Sequence, residues 1–198
     1  MLTLSQPASF ATELKCPHCL STYSLQDVNK YAVCCNQPLL VEYEISGEFT
    51  PSSLFSRNQD MWRYKEMLPV QEEKNIVTLG EGMTTLLPLD KLAGKFGFSQ
   101  LLLKDESSNP TGSFKARGIS VAVSKAKEFG IENCIIPTAG NAGGALAAYC
   151  AKAGIECTVV MPTHTPEIFK EECILYGAEL VLVNGLINDC AKKAAEIN

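Results

Sequence analysis

The sequence predicts an α/β protein in which helices cover both faces of a parallel sheet. In the second half of the chain, apolar runs of strand length alternate with helical stretches of ten or more residues. Continuous apolar strands separated by such helices are typical of a parallel sheet that is buried on both faces. The chain has 198 residues, of which 46% are hydrophobic and 20% are charged, so it can bury a core.

The alternating elements define the main domain, which is expected over residues 101–198. Strands are predicted at 101–104, 134–137, 157–161 and 180–183. Helices are predicted at 114–129, 142–153, 166–176 and 186–197. Because right-handed crossovers bring the carboxyl ends of parallel strands to one edge, a functional site is expected at that edge. The pattern is still running at the last residue, so we expect the C-terminal remainder of a longer protein to be absent.

A small ribbon is predicted ahead of this domain, in residues 1–45. It holds four closely spaced cysteines, which are Cys16, Cys19, Cys34 and Cys35. It ends in the alternating segment 40–45, which predicts a strand. The segment Cys16-Pro-His-Cys19 has the spacing of half of a four-cysteine zinc site, but the second half has two adjacent cysteines. Adjacent side chains diverge, so zinc coordination by all four needs an unusual turn. Zinc is a possible ligand here, with His18 as an alternative donor.

Residues 46–100 are predicted to form a connecting segment between these two parts. They are rich in Gly, Pro, Ser and Thr, and they lack the regular alternation that follows. A short helix is expected at 61–67, where it is ended by Pro69.

Composition excludes several classes of partner. The formal net charge is −5 and no segment concentrates Lys and Arg, so nucleic acid is not expected as a partner. The longest apolar run, 142–151, is half of the roughly 20 residues that cross a bilayer, and no signal peptide is evident, so no membrane association is expected. The other five cysteines fall in regular helix or strand patterns and are expected to be reduced packing residues of a cytoplasmic protein: Cys134, Cys150, Cys157, Cys173 and Cys190.

The first stretch that carries chemistry lies between the first strand and the first helix of the main domain. Asn109-Pro and Thr111-Gly mark a turn, and Ser113 is a good N-cap, which places Lys115 in a first helical turn. The helix dipole disfavours a cation there and favours the neutral amine that attacks an aldehyde. A surface lysine without a role is the alternative interpretation.

The second stretch follows the next strand and contains several glycines, at residues 137–144. Backbone NH groups at such a helix start can bind a carboxylate or a phosphate, although the glycines could equally serve close packing. Dinucleotide binding is disfavoured because no acidic residue stands about 20 positions after the glycines. A P-loop fails as well, because two residues separate Gly112 from Lys115. A Schiff-base lysine and an anion cradle with Asn141 are parts that a pyridoxal phosphate site needs.

Two motifs make the chain recognisable: Asn109-Pro-Thr-Gly-Ser-Phe-Lys115 and Thr138-Ala-Gly-Asn141-Ala-Gly-Gly-Ala. Together they resemble the threonine synthases, a family of pyridoxal-phosphate enzymes of the tryptophan-synthase-β type. Residues 61–64 and 79–84 and the preceding cysteines also look like that family. The resemblance covers nearly the whole chain and is most specific in residues 104–154. It implies fold type II, in which 101–198 belong to the small domain and 46–100 to the large domain.

The resemblance also implies roles for individual residues. Lys115 would form the Schiff base with the cofactor, Phe114 would lie against its ring, and Asn141 would hydrogen-bond its phenolic oxygen. The α-carboxylate of an amino-acid substrate would bind the backbone NH groups of one loop and the hydroxyl of its first residue: Thr138, Ala139, Gly140, Asn141 and Ala142.

The activity implied by the resemblance is threonine synthase, which converts O-phospho-L-homoserine and water into L-threonine and phosphate in a full-length homodimer. The second glycine-rich loop and the residue facing the pyridine nitrogen have no counterpart before residue 198, so the isolated chain is expected to fold but not to catalyse. Many threonine synthases carry Asp where this chain has Ala116, which leaves the exact substrate open.

Three alternatives remain. Within the enzyme class they are a serine or threonine dehydratase and another β- or γ-replacement synthase, such as a cysteate synthase. Dehydratases usually carry Gln at the position of Asn109 and lack the cysteine ribbon, which favours the synthase. A non-catalytic binding fragment is the alternative from a different class.

Overall fold

The computed structural model describes residues 9–29, 31–45 and 50–197. The predicted boundary between the ribbon and the connecting segment, at residues 45 and 46, lies partly outside these residues. Within the part described, no helix is both long and apolar enough to cross a bilayer.

A three-stranded parallel sheet forms the centre of the second half of the chain. Its strands are β6 (Asn133–Pro137), β7 (Glu156–Pro162) and β8 (Glu179–Val183), in the order β6-β7-β8. The helices that precede, connect or follow them are α2 (Lys115–Glu128), α3 (Asn141–Ala153), α4 (Glu167–Leu175) and α5 (Ile187–Ile197). The predicted α/β class with a parallel sheet is confirmed, and each of these elements lies within a few residues of its predicted position.

Both faces of this sheet are covered, because alternate residues of β7 pack against different helices. Val159 and Met161 are fully buried in the larger core, together with residues of α2, α3 and α4. Val160 points to the opposite face, where it packs with Cys190 and Ala194 of α5. Alternation of side chains along a strand produces this division, and burial on both sides explains the continuous apolar sequence of β7.

The run at 101–104 does not join the parallel sheet, so that part of the prediction is wrong. It forms β5 (Leu102–Lys104), which pairs antiparallel with β4 (Leu86–Pro88) in a separate two-stranded sheet. Leu102 and Leu103 are 42% and 47% exposed. An apolar run of strand length cannot by itself distinguish a central parallel strand from a half-exposed hairpin partner.

The connecting segment contains more regular structure than predicted. Helix α1 (Asp90–Phe96) ends at Gly97, whose φ of 72° provides the left-handed C-terminal cap. The short helix expected at 61–67 is present as the 3₁₀ helix Met61–Met67, and the carboxylate of Asp60 caps it by accepting from Trp62 N at 2.8 Å.

The N-terminal part forms a small antiparallel sheet. Its strands are β1 (Ala11–Lys15), β2 (Thr22–Tyr23) and β3 (Leu40–Tyr43), in the order β2-β1-β3. The strand predicted at 40–45 is thus realised over its first four residues. The five cysteines outside this sheet pack as predicted, since Cys134 is half-buried and the other four are buried.

Candidate active site

A single carboxylate organises the turn that precedes Lys115. Glu106 accepts from Arg117 Nε at 2.6 Å and from Arg117 Nη2 at 2.8 Å, and Thr84 Oγ1 donates to it at 2.7 Å. Asn109 Nδ2 donates to the same carboxylate at 2.9 Å. The Arg117 guanidinium, opposed by partial burial and assisted by Thr84 and Asn109, lowers the pKa of Glu106 to about 2. The turn is therefore held by a carboxylate that stays ionised.

Asn109 extends this network to the neighbouring glycine loop. Its Oδ1 accepts from Gly82 N at 3.0 Å, so one buried side chain joins two loops. Thr111, two residues after Asn109, has a φ of 58°, a left-handed conformation that is uncommon for a residue with a β-branched side chain. Such backbone strain is typical of functional turns that their surroundings hold in place.

Lys115 begins helix α2, as the sequence predicts for its first turn. The N-cap position belongs to Phe114 rather than to Ser113, but Ser113 Oγ still accepts from Lys115 N at 3.3 Å. Lys115 is exposed, and its Nζ lies 4.7 Å from the centroid of the Phe114 ring. The ring is itself 58% exposed, so an amine and an accessible aromatic face stand side by side.

The loop after β6 carries the other predicted site residues. Thr138 is buried, and its Oγ1 accepts from Gly140 N at 3.3 Å. Ala139 and Asn141 are exposed, while Gly140 and Ala142 are half-buried. Among the described residues, no side chain caps the start of α3 at Gly140. The first NH groups of this helix are therefore directed at an accessible surface, which is the arrangement that binds anions.

The glycines in the first turn of α3 also allow close packing. This is the second of the two interpretations that the sequence left open. A Cβ at Gly143 would lie 2.8 Å from Met161 Cε and 2.9 Å from Thr138 Cγ2. A Cβ at Gly144 would collide with the carboxylate of Glu172 in α4. Both glycines thus let α3 approach its neighbours, and the possible anion site is confined to the residues before them.

The fold brings the lysine turn and the asparagine loop to neighbouring elements. Helix α2 packs along α3, and the 3₁₀ turn Pro110–Gly112 also contacts α3. Phe169 lies beside both, since it lines a groove with Thr111 and Gly112 and is within 4 Å of a Cβ built at Gly140. Lys115 and Asn141 therefore begin two adjacent helices, and an open groove of about 730 Å³ adjoins the turn before Lys115.

A buried carboxylate links helices α2 and α3 by accepting hydrogen bonds from both. It was not singled out by the sequence pattern. Glu81 is fully buried and accepts from Trp62 Nε1 at 2.8 Å and from Tyr149 OH at 2.5 Å, as well as from Ser120 Oγ. Burial raises the pKa of Glu81, but hydrogen bonds from the hydroxyls of Ser120 and Tyr149 lower this pKa overall. Burial and the nearby carboxylate raise the pKa of Tyr149 in turn. The sequence feature that could have pointed to Glu81 is its position between two glycines, in the segment 79–84.

These residues fit pyridoxal phosphate in the chemistry of their donors. The amine of Lys115 suits its aldehyde, and the NH groups at the start of α3 suit an anion. The hydroxyl of Thr111, beside Lys115, is buried without a hydrogen-bond partner in the part of the chain that is described. A buried hydroxyl without a hydrogen-bond partner costs free energy of folding, so a ligand that accepts a hydrogen bond from it would stabilise the turn.

The four N-terminal cysteines form a second cluster. The Sγ atoms of Cys34 and Cys35 are 3.7 Å apart, and Cys34 Sγ is 2.7 Å from Cys19 Sγ. The expected divergence of the two adjacent cysteines is therefore not observed. His18 and His164 are both exposed.

Comparison with known proteins agrees with this geometry. Threonine synthase of Methanocaldococcus jannaschii is 36% identical over 88% of this chain and 44% of its own length. The threonine synthase of Halalkalibacterium halodurans is 46% identical over 62% of this chain and 34% of its own length. The chain thus spans less than half of the length of these relatives.

Solved structures show the same fold. O-ureido-L-serine synthase matches 58% of this chain and 37% of its own, with a TM-score of 0.53 and 28% identity. Diaminopropionate ammonia lyase of Escherichia coli matches 63% of this chain and 40% of its own, with a TM-score of 0.57 and 20% identity. Residues 77–198, which contain Lys115 and Asn141, match the family described as "Pyridoxal-phosphate dependent enzyme". The chain belongs to this family of pyridoxal-phosphate dependent enzymes.

Proposed function

We propose that the complete protein is a threonine synthase, in which this chain supplies the lysine, the asparagine and the carboxylate-binding loop. The observation that carries the proposal is the placement of Lys115 and Asn141 at the starts of two adjacent helices, in motifs shared with the threonine synthases. The proposed reaction adds water to O-phospho-L-homoserine and releases phosphate, giving L-threonine. The resemblance also favours a homodimer for the complete protein.

Each residue has a specific task in this proposal. Lys115 Nζ would hold the cofactor through its aldehyde, Phe114 would lie against its ring, and Asn141 would donate a hydrogen bond to its phenolic oxygen. The NH groups at the start of α3 and the hydroxyl of Thr138 hold the substrate α-carboxylate. The Glu106 network and the Glu81 network orient these groups without touching the substrate.

Pyridoxal phosphate, when bound, supplies an electron sink next to the reacting carbon atoms. The protein then needs a base that moves protons at the substrate α and β carbons, and Lys115 Nζ is the amine positioned for this work. The exposed loop after β6 admits the amino-acid substrate from solvent.

A second candidate function is synthesis from a serine derivative. It is favoured by the similarity to O-ureido-L-serine synthase, at 28% identity. The two functions share the lysine and the asparagine, and they differ in whether the substrate carries a γ-phosphate.

The substrate preference is tested on the complete protein loaded with pyridoxal phosphate, by following the visible absorption of the bound cofactor. Addition of O-phospho-L-homoserine is expected to displace Lys115 at lower concentrations than addition of L-serine. A lower effective concentration for L-serine would favour the second candidate. A protein that shows no cofactor absorption at all would indicate a binding fragment instead.

Asn141→Ala is expected to weaken cofactor binding about 10- to 100-fold, because a hydrogen bond to a charged group contributes roughly 1.5 to 3 kcal/mol. Asn133→Ala is the matched control, since Asn133 is exposed at the opposite end of β6. Cofactor titration and thermal unfolding are measured on both variants. Unchanged cofactor affinity in Asn141→Ala would show that the assigned role is wrong.

A further inference from the structure

The N-terminal sheet contains two turns with the same backbone geometry. In the first, Cys16 N donates to Ser21 O at 2.9 Å, Leu20 N donates to Cys16 O at 3.0 Å, and Leu20 has a φ of 61°. In the second, Ala32 N donates to Gln37 O at 2.8 Å, Asn36 N donates to Ala32 O at 2.8 Å, and Asn36 has a φ of 52°.

The equivalence of the turns aligns their residues one by one. Cys16 corresponds to Ala32, and Cys19 corresponds to Cys35, with the left-handed residue directly after each second position. At these two equivalent positions the first turn has the thiols of Cys16 and Cys19, whereas the second turn has the methyl group of Ala32 and the thiol of Cys35. The sequence offers a replacement for the missing thiol at Cys34, one residue before Cys35.

The sulfur atoms of Cys16, Cys19 and Cys35 lie within 4.8 Å of one another, and Cys34 Sγ lies beside two of them, 2.7 Å from Cys19 Sγ and 3.7 Å from Cys35 Sγ. Cys16 Sγ lies 3.3 Å from Cys35 Sγ, and Cys35 Sγ lies 3.7 Å from both Cys19 Sγ and Cys34 Sγ. Two thiolates on one tetrahedral zinc ion, each about 2.3 Å from it, are about 3.8 Å apart. Cys19 N also donates to Cys16 Sγ at 3.5 Å, and such NH groups stabilise a thiolate.

The surrounding sheet buries little apolar surface of its own, and its first strand is joined to the connecting segment by hydrogen bonds such as Gln71 Nε2 to Ala11 O. In the described residues 9–29 and 31–45, the buried apolar side chains are Ala11, Cys16, Leu25 and Ala32. Larger apolar side chains are exposed instead, among them Val33 at 88% and Leu20 at 66%. Small units that bury so little apolar surface usually depend on a metal ion or on disulfides.

We propose that Cys16, Cys19, Cys34 and Cys35 bind one structural Zn²⁺ ion, and that Cys34 supplies the ligand that is missing at Ala32. Four thiolates favour zinc over calcium or magnesium, which prefer oxygen ligands. Binding replaces the four thiol protons, which are released to solvent. The ion joins the turn after β1 to the turn before β3, and it therefore cross-links two turns of the sheet.

The first test is the metal content of the purified chain and its absorption after replacement of zinc by Co²⁺. One zinc ion per chain is expected, and the cobalt protein should show the visible bands of tetrahedral coordination with thiolate charge transfer. A chain that binds neither metal overturns the proposal. So does a chain in which Cys19 and Cys34, the closest pair, are found joined in a disulfide after purification under non-reducing conditions without metal.

The role of Cys34 is tested by a set of variants. Cys34→Ser should lower zinc affinity by more than about 100-fold, since even the loss of an outer contact lowers it about 10- to 100-fold. Val33→Ser, at the exposed neighbouring position, should bind zinc like the parent. The double variant Ala32→Cys with Cys34→Ser should regain tight binding, because the thiol then occupies the position equivalent to Cys16.

The double variant also keeps the test decisive if Cys34→Ser does not fold. Zinc affinity is measured by competition with a chromophoric chelator in each case. Equal affinity in Cys34→Ser and the parent would overturn the assignment of Cys34 as a ligand. Failure of Ala32→Cys to restore binding would overturn the proposed equivalence of the two turns.

Discussion

The two ends of the described chain are stabilised in different ways. The parallel sheet of 133–183 is buried by helices on both faces, and its central strand includes three consecutive residues, Val159, Val160 and Met161, with no exposed surface. The N-terminal sheet of 11–43 buries few apolar side chains, of which Leu25 is the largest, and leaves others such as Val33 in solvent. Regular hydrophobic patterning accounts for the stability of the first region, and we expect the cysteine side chains to account for that of the second.

This difference explains where the candidate site lies. Helix α3 packs on the buried sheet and α2 packs along α3, so the groups at their starts are held by a rigid support. The turns before them are polar and accessible, and they are fixed by the Glu106 and Glu81 networks rather than by apolar burial. A rigid core with polar turns at its edge is the arrangement in which parallel α/β folds place their ligands.

The largest expected effect is on the N-terminal sheet when metal is removed. Treatment with a chelator should abolish the protection of backbone amides in 11–43 against hydrogen exchange, while the protection of 133–197 remains. The reason is that the binding free energy of a structural zinc ion is folding free energy for the unit that holds it. Hydrogen exchange with mass spectrometry measures both regions in one sample, and chelator preloaded with zinc is the control. Persistent protection of 11–43 would show that the sheet is stable without metal.

Glu81→Ala should have the next largest effect, on the other region. It removes the carboxylate that accepts from Trp62, Ser120 and Tyr149. Trp62 Nε1 still donates to Ser120 Oγ and Ser120 Oγ to Val77 O, whereas Tyr149 OH loses its acceptor among the described residues. An unsatisfied buried hydroxyl costs about 1 to 3 kcal/mol and the lost side chain leaves a cavity, so a loss of about 2 to 4 kcal/mol in the free energy of unfolding is expected. Urea denaturation measures the loss. Glu132→Ala, at an exposed position, is the control and should change stability by less than about 0.5 kcal/mol.

Two glycine substitutions separate packing from helix propensity. Gly143→Ala should destabilise by about 1 to 3 kcal/mol, because its Cβ would meet Met161, Thr138 and Val159 within 3.0 Å. Gly118→Ala, within α2, meets no atom within 4 Å and should stabilise by up to about 1 kcal/mol. Thermal and urea unfolding compare the pair. Equal effects of the two substitutions would contradict the close approach of α3 to β7.

The smallest expected effect concerns pH and the turn before Lys115. The pKa of Glu106 is lowered from 4.5 to about 2, so its ionised form stabilises the fold above its ordinary pKa. This contribution is lost as pH falls through the interval between those two values. Glu106→Gln removes it, so the difference in urea midpoint between parent and variant should shrink as pH falls through that interval. A difference that is constant over this range would show that Glu106 does not titrate with a lowered pKa.

The sequence was sufficient for the elements whose residues are buried by regular patterns. Strands β6, β7 and β8 are apolar over most of their length, and helices α2 to α5 lie before, between and after them with clear turns. Lys115 at a helix start and Asn141 after a strand followed from the same reasoning. The strand at 102–104 was misplaced because its partner, Leu86–Pro88, lies in a segment without an apolar pattern.

The remaining features depend on contacts between residues that are distant in the sequence. Glu81 is 68 residues from Tyr149, and nothing local indicates that its carboxylate is buried against that hydroxyl. The convergence of Cys34 and Cys35 requires the left-handed residue Asn36 directly after them. A sequence pattern can predict that such residues are unusual, but the partners are determined by the tertiary fold.

The central claim is that Lys115 is the lysine that holds pyridoxal phosphate. The most direct test is to mix the purified chain with the cofactor, to reduce the adduct with borohydride, and to map the labelled peptide by mass spectrometry. The label is expected on Lys115, to be absent from Lys115→Ala, and to be retained in Lys127→Ala, which changes an exposed lysine of the same helix. A label on another lysine that persists in Lys115→Ala would contradict the account.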